Sequence, residues 1–417
     1  MLTALLPVRS LLLAIFTLMA GSGFLSTLTT LRLERAGSGT LVIGIVGTAY
    51  FLGLVVGSLR VPRLIRRVGH IRAFAAFVSV FSASSLTYAI HRDPMLWAGL
   101  RLIDGFCLAG VYVCLESWLN ERADSRMRGS VLAGYMIALY TGQALGQFLL
   151  NLSDAKPSLP FLVASILISL SAIPVVLTRN SAPPPDEGAT LSVRALYAIS
   201  PLGIVGATVT GLMLGAFYAL GPVYARRLGM EVSATALFMS FVILGGVALQ
   251  WPLGRLSDIF DRRRVIVFAF FGSLAASLGI ALAGMPGLPL MMLGAAFGGL
   301  SFALYPLCVG HTNDHLAPEQ RVAASGGLVL LYSLGAAAGP VAGAAAITLA
   351  GSAGLFAFIA LCSGVALAFG LWRQTRTLPV PAARQQSYQV LPRTTPMSAA
   401  LDPLAPEEPE ETSWKPT

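Results

Sequence analysis

Long apolar runs separated by short polar stretches organise this chain. The runs fall at about 9 to 31, 41 to 59, 73 to 90, 95 to 119, 129 to 150, 159 to 177, 200 to 225, 234 to 253, 265 to 285, 288 to 312, 322 to 349 and 353 to 372. Each approaches or exceeds the roughly 20 residues that a helix needs to cross a bilayer. The pattern therefore predicts an all-α integral membrane fold of twelve transmembrane helices, α1 to α12 in chain order. The glycines inside the runs suit close helix approach in lipid. The first run follows Arg9 and is leucine-rich, as a cleaved signal peptide is, but it has a counterpart deep in the second half and reads as a retained helix.

Composition agrees with that pattern. Hydrophobic residues make up 55% of the chain and charged residues 11%, with mean hydropathy +0.75, whereas a soluble domain carries roughly 25% charged residues. The four cysteines (Cys107, Cys114, Cys308 and Cys362) lie in apolar runs without metal-ligand spacing and read as packing residues. The net charge of +9 does not mark a nucleic-acid partner, because the basic residues punctuate apolar segments and form no single patch. They report topology. With the N-terminus inside, 21 of the 28 Lys and Arg residues fall on the inner side and 6 on the outer, and Arg101 lies within the membrane. The positive-inside rule then places both termini of this multi-pass membrane protein in the cytoplasm.

An internal repeat divides the runs into two sets of six. At an offset of 192, Arg35 and Gly37 fall on Arg227 and Gly229, and Gly53 on Gly245. After one inserted residue the offset is 193. Tyr112 then falls on Tyr305, Asn120 on Asn313, Arg128 on Arg321, Gly142 on Gly335 and Gly146 on Gly339. A duplication of six helices preserves orientation and places a binding site between the halves near mid-membrane. The expected organisation is an N-terminal bundle over 1–178, a cytoplasmic linker over 179–199, a C-terminal bundle over 200–374 and a disordered, proline-rich cytoplasmic tail over 375–417.

Chemistry concentrates in α4. A charged side chain at mid-bilayer costs about 2.5 to 3.5 kcal/mol on insertion scales, so Arg101, Asp104 and Glu116 should face protein or water. Arg101 and Asp104 stand three residues apart and can neutralise each other. Glu116 has Tyr112 and Asn120 as same-face neighbours and must find a cation elsewhere, a watery cavity or a proton. Two readings stay open for it: a proton carrier, or a partner of the basic loop after α2 at Arg63, Arg66 or Arg67. In α5, Tyr140, Gln143 and Gln147 form a polar stripe, and Ser22, Ser26 and Thr29 form one in α1. Tyr112, Tyr218 on the glycine-rich α7, and Tyr305 are further candidates for a solute cavity. His311, Asp314 and His315 at the end of α10 read as a hydrogen-bonded cluster, since three candidate ligands near a loop make a poor metal site.

The segment GRLSDIFDRRR from Gly254 resembles the signature of the major facilitator superfamily between helices 8 and 9, and RLIDG from Arg101 resembles its helix 4 signature. Within that superfamily, ESWLNER from Glu116 and HTNDH from His311 resemble the bacterial YcaD-like branch. The first-half counterpart, PRLIRRVGHIR, departs from the pattern, with Arg66 where an acid is expected. The resemblance implies that Asp258 latches onto the N-terminus of α5 in one conformation. GAAAGPVAG from Gly335 resembles an antiporter signature but stands in α11 instead of α5.

These readings converge on a secondary active transporter that moves a small organic solute by alternating access and is driven by protons. No phosphate-binding GxxxxGK[ST] stretch supports direct ATP drive. No cofactor, metal or catalytic constellation is expected, so the chain does not read as an enzyme, and its partners are the solute, protons and the bilayer, with the chain a monomer. The alternative is a membrane sensor or signalling partner that binds a solute without moving it.

Overall fold

The structure is a computed structural model that describes residues 5–122, 128–153, 156–177, 191–376, 378–381 and 385–395. Most of the expected linker, the five residues before α5 and the acidic end of the tail lie outside these residues.

Every described element is helical, as the apolar runs require. The first half comprises α1 (Arg9–Arg35, interrupted at Gly23 and Phe24), α2 (Thr40–Val68), α3 (His70–Ile90), α4 (Pro94–Arg122), α5 (Arg128–Gly146) and α6 (Leu159–Val176). The second half comprises α7 (Pro201–Arg227), α8 (Val232–Ile259), α9 (Arg262–Leu282), α10 (Leu288–Asn313), α11 (Pro318–Ala350) and α12 (Gly354–Arg376). Eleven of these are long and apolar enough to cross a membrane. The exception is α5. Its polar stripe lowers its hydropathy, and it ends in a 3-10 turn over Gln147–Ser153. A short helix, Val193–Ile199, precedes α7 within the expected linker, and the two are joined at Ser200, whose Oγ accepts from Gly203 N at 3.2 Å. At the α8–α9 turn, Asp261 accepts from Arg263 N at 3.1 Å. Partial burial disfavours the charge on Asp261, but its bonds from Arg263 outweigh that and hold its carboxyl below the ordinary value.

The duplication is visible in atomic contacts. A methyl group at Gly105 in α4 would stand 2.0 Å from the Tyr50 carbonyl oxygen in α2; at Gly298 in α10 it would stand 1.9 Å from that of Val242 in α8. A methyl group at Gly53 or Gly245 would likewise stand 2.1 Å from a carbonyl oxygen, those of Leu102 and Ala295. In the same register, Gly142 and Gly146 of α5 abut Phe16 and Ala20 of α1, while Gly335 and Gly339 of α11 abut Thr208 and Leu212 of α7. All four pairs keep the offsets read from sequence. Without a side chain at these points two helix backbones can touch, which in lipid replaces the hydrophobic drive that is absent between apolar helices. Gly37 and Gly229, also repeat partners, end α1 and α7 at φ +76° and +87°, a region open to glycine.

One stretch departs from the sequence reading. Residues 385–395 fall in the tail whose composition predicts disorder, yet they run as an irregular segment between the two halves, with Leu391 and Thr395 buried. Low apolar content signalled disorder, whereas polar bonds to the bundle, set out below, hold this segment.

Gly105→Val and Gly298→Val should each force a helix pair apart and lower stability by at least roughly 1–3 kcal/mol, the usual cost of overpacking. Gly99→Ala, where an added methyl meets nothing within 4 Å, should leave stability unchanged. Thermal unfolding of the detergent-solubilised protein checks this, and equal stability of the three variants would contradict the close-approach account.

Candidate functional site

The two bundles meet directly at one end of the molecule. Thr30 Oγ1 donates to Ala219 O at 2.9 Å, Thr48 Oγ1 to Ala337 O at 2.8 Å and Ser240 Oγ to Ala144 O at 2.9 Å. At the outermost helix ends, Arg227 donates from Nε to Glu34 Oε1 and from Nη2 to Thr40 Oγ1, both at 2.9 Å. Gly44 and Gly47 of α2 let Pro340 of α11 approach. The residues that resemble an antiporter signature in α11 thus pack against α2 and α7.

Below this closed end lies a cavity at mid-depth, lined from both halves. Ser22 and Ser26 of α1, Tyr50 of α2, Arg101 and Tyr112 of α4, and Tyr140 and Gln143 of α5 form one wall, and Tyr218 and Tyr332 face them. The tail residues Pro392, Arg393 and Thr394 also line it, and the space that remains is about 120 Å³. Sites for drug-sized molecules run to roughly 300–1,000 Å³, so the occupied cavity has little room to spare.

Arg101 and Asp104 are both buried, 3.7 Å apart. Each also has another partner. Arg101 Nη2 donates to Ser26 Oγ at 2.6 Å and to Thr29 Oγ1 at 3.2 Å, and its guanidinium lies 5.1 Å from the Tyr50 ring centroid. Asp104 Oδ2 accepts from Tyr88 OH at 2.7 Å. The pair therefore ties α4 to α1 and α3; the Ser26 and Thr29 hydroxyls serve as acceptors for a cation, while Ser22 Oγ donates to Leu18 O at 2.8 Å.

Glu116 is fully buried. Among the described residues its hydrogen-bond partners are hydroxyls. Tyr135 OH donates at 3.3 Å, Thr395 Oγ1 at 2.5 Å, and Thr394 Oγ1 also donates to it. Arg63, Arg66 and Arg67 lie exposed, so the basic loop is not what meets this carboxylate. Two of its three hydroxyl partners come from the tail, which no motif signalled.

Other candidates separate by position. Gln147 Nε2 donates to Gly23 O at 3.1 Å and works as a helix-to-helix bond. Tyr112 OH lies 3.3 Å from Met19 Sδ at the cavity wall. Tyr305 stands behind the wall, its ring 5.3 Å from that of Tyr332. Sequence reading missed Tyr50, Tyr332 and Phe302, although Tyr332 and Phe302 embrace the tail guanidinium. Asp258 is partly exposed; Oδ1 accepts from Tyr388 N of the tail at 2.7 Å and lies 3.6 Å from Arg262 Nη2. His315 Nδ1 lies 2.8 Å from His311 O, while Asp314 pairs with Arg262 at 2.8 Å, so that cluster extends to α9.

Arg101→Met should leave Asp104 buried without its cation and cost about 3–5 kcal/mol of stability. Adding Asp104→Asn should recover most of that loss while keeping an acceptor for Tyr88. Thermal unfolding of the single and double variants measures the coupling, and additive losses would contradict it.

Comparison with known proteins accords with this geometry. The Major Facilitator Superfamily model matches residues 11–287 and 204–415. An uncharacterised MFS-type transporter, YcaD, of Escherichia fergusonii is 31% identical over 338 residues, covering 80% of this chain and 87% of that protein, and its counterpart in Salmonella enteritidis is 30% identical over the same span. Among solved structures, the nucleoside transporter NupG superposes with TM-score 0.71 at 13% identity, covering 89% of this chain and all of the other. A bacterial homologue of the human lysosomal transporter Spinster, inward-facing and occupied, gives TM-score 0.70 at 13% identity over 92% and 98%. Sequence and fold together make this chain a member of the major facilitator superfamily, a multi-pass membrane transporter of the YcaD-like branch and not an enzyme.

Proposed function

We propose that this transporter moves a small organic solute through the cavity between its halves by alternating access, coupled to protons, in a bacterial inner membrane. The observation that carries the reading is the one-sided closure: helices meet directly from Thr30 to Arg227, while at the opposite end the halves are bridged through the tail. With the basic loops on the cytoplasmic side, this is an inward-facing arrangement. Rocking the repeats about the cavity would part Glu34 from Arg227 and bring the α4–α5 and α10–α11 ends together.

Within this scheme the ionisable groups take different roles. Arg101 and Asp104 neutralise each other and set the geometry of the α1 wall. Among the described residues the hydrogen-bond partners of Glu116 are hydroxyls, so it can take up or release a proton without breaking an ion pair, and it is the proposed coupling carboxylate. Tyr112, Tyr140, Gln143 and Tyr218 supply the solute wall. The mixture of aromatic rings with few charges suits an organic molecule with an apolar body and one polar end. A non-transporting sensor would bind such a solute equally well, but it has no need of a direct closure at one end and a bridge through the tail at the other.

Glu116→Gln keeps the shape and removes the titrating group. In proteoliposomes under an imposed proton gradient, the variant should lose accumulation of a solute while still exchanging it between compartments. Accumulation equal to that of the unaltered protein would remove Glu116 from coupling, and binding without flux in either direction by the unaltered protein would favour the sensor.

A further inference from the structure

We propose that the tail segment Gln385–Thr395 is a resident ligand of the solute cavity, and that the solute it displaces is an organic cation with a guanidinium or amine head. This inference rests on the reading of the central cavity as the solute site.

The segment is anchored before it enters. Gln386 N donates to Asp314 Oδ1 at 3.0 Å, Arg262 Nη2 donates to Gln386 O at 2.5 Å, and Tyr388 N donates to Asp258 Oδ1 at 2.7 Å. The Tyr388 ring fills the space over Gly254, where an added methyl would stand 2.2 Å from it. Asp258 and Gly254, both in the signature at the end of α8, thus hold a peptide segment that belongs to the chain itself. From there the segment passes the buried Leu391 and ends among groups of both halves.

Arg393 shows what the cavity prefers. Its guanidinium lies 4.3 Å from the centroid of Phe302, 5.7 Å from that of Tyr332 and 5.8 Å from that of Tyr140, within the range at which ring faces attract cations. Its Nη2 reaches Tyr218 OH at 3.5 Å. Charge counting agrees with the rings. Arg101 and Asp104 cancel, which leaves Glu116, buried behind the cavity lining, as the acid without an ion-pair partner among the described residues, and the tail brings one cation together with two hydroxyls that bond that acid. A solute with a cationic head and an adjacent hydroxyl or amide donor would satisfy the same groups. Since the tail occupies the same space, such a solute binds only the fraction of molecules whose cavity is vacant, and its apparent affinity falls by that fraction.

Calorimetry on the full chain in lipid nanodiscs, with no ion gradient, tests this. The probes are Nα-acetyl-arginine amide and its uncharged counterpart Nα-acetyl-citrulline amide. Arg393→Ala removes the competing cation, and Thr394→Val with Thr395→Val removes the hydroxyls that bond Glu116; all three positions lie outside the membrane helices. The arginine amide should bind Arg393→Ala at least about tenfold more tightly than the unaltered chain. The double threonine variant should also bind it more tightly, and the citrulline amide should bind none of the three. Equal affinity for the unaltered chain and both variants, equal binding of the two amides, or no binding of the arginine amide to any chain would overturn the proposal. Because these are equilibrium measurements, absence of proteoliposome flux would fall on the transport reading alone.

Discussion

An ionisable side chain inside a membrane protein must be met by protein, and α4 imposes that constraint three times within one helix. Arg101 draws hydroxyls from α1, Asp104 draws the phenol of Tyr88 from α3, and Glu116 draws Tyr135 from α5 together with two threonines from beyond α12. Satisfying α4 thus fixes how α1, α3 and α5 surround it and leaves one carboxylate facing the interface of the halves. The glycine-to-carbonyl contacts supply the complementary constraint. They bring α2 against α4 and α8 against α10 backbone to backbone, the kind of close packing that lets a helix pair move as one body on either side of a cavity.

Much of this was legible before the fold was seen. Apolar runs of bilayer length admit little but helices. The repeat was readable because duplicated helices keep their close contacts, so the glycines that touch carbonyls cannot drift. The importance of Arg101, Asp104 and Glu116 followed from cost alone. The direction in which a tyrosine faces carries no such cost signal. Tyr305 and Tyr332 both sit in apolar helices, and only the packed structure puts Tyr332 at the cavity and Tyr305 behind it. Gln147 was misplaced for a related reason: a glutamine in a helix signals a hydrogen bond but not its partner, and that partner is the Gly23 carbonyl exposed by the break in α1.

The tail was illegible for a different reason. A proline-rich stretch with few apolar residues cannot form a core of its own, which is what its composition says. It can be held when a bundle offers acids and a guanidinium donor at one rim and aromatic rings farther in. Asp258 and Asp314 bond its backbone, which any sequence supplies, so the anchoring leaves almost no imprint on the tail. Asp258, expected to latch a helix end in one conformation, here holds a segment that bridges the halves. On the proposed alternating-access reading, the conformational balance of the protein depends on two contacts at opposite ends, the Glu34–Arg227 closure and the docked tail.

That dependence gives the most direct measurement of the central claim, that the halves rock about the cavity. Spin-label pairs would report distances between the halves, one pair near Gly37 and Gly229 and another near the α2–α3 and α8–α9 turns. Glu34→Arg with Arg393→Ala releases both contacts in a single chain. The account expects the first distance to lengthen while the second shortens, in the same population of molecules. Two distances that stay fixed, or that change independently of each other, would contradict it.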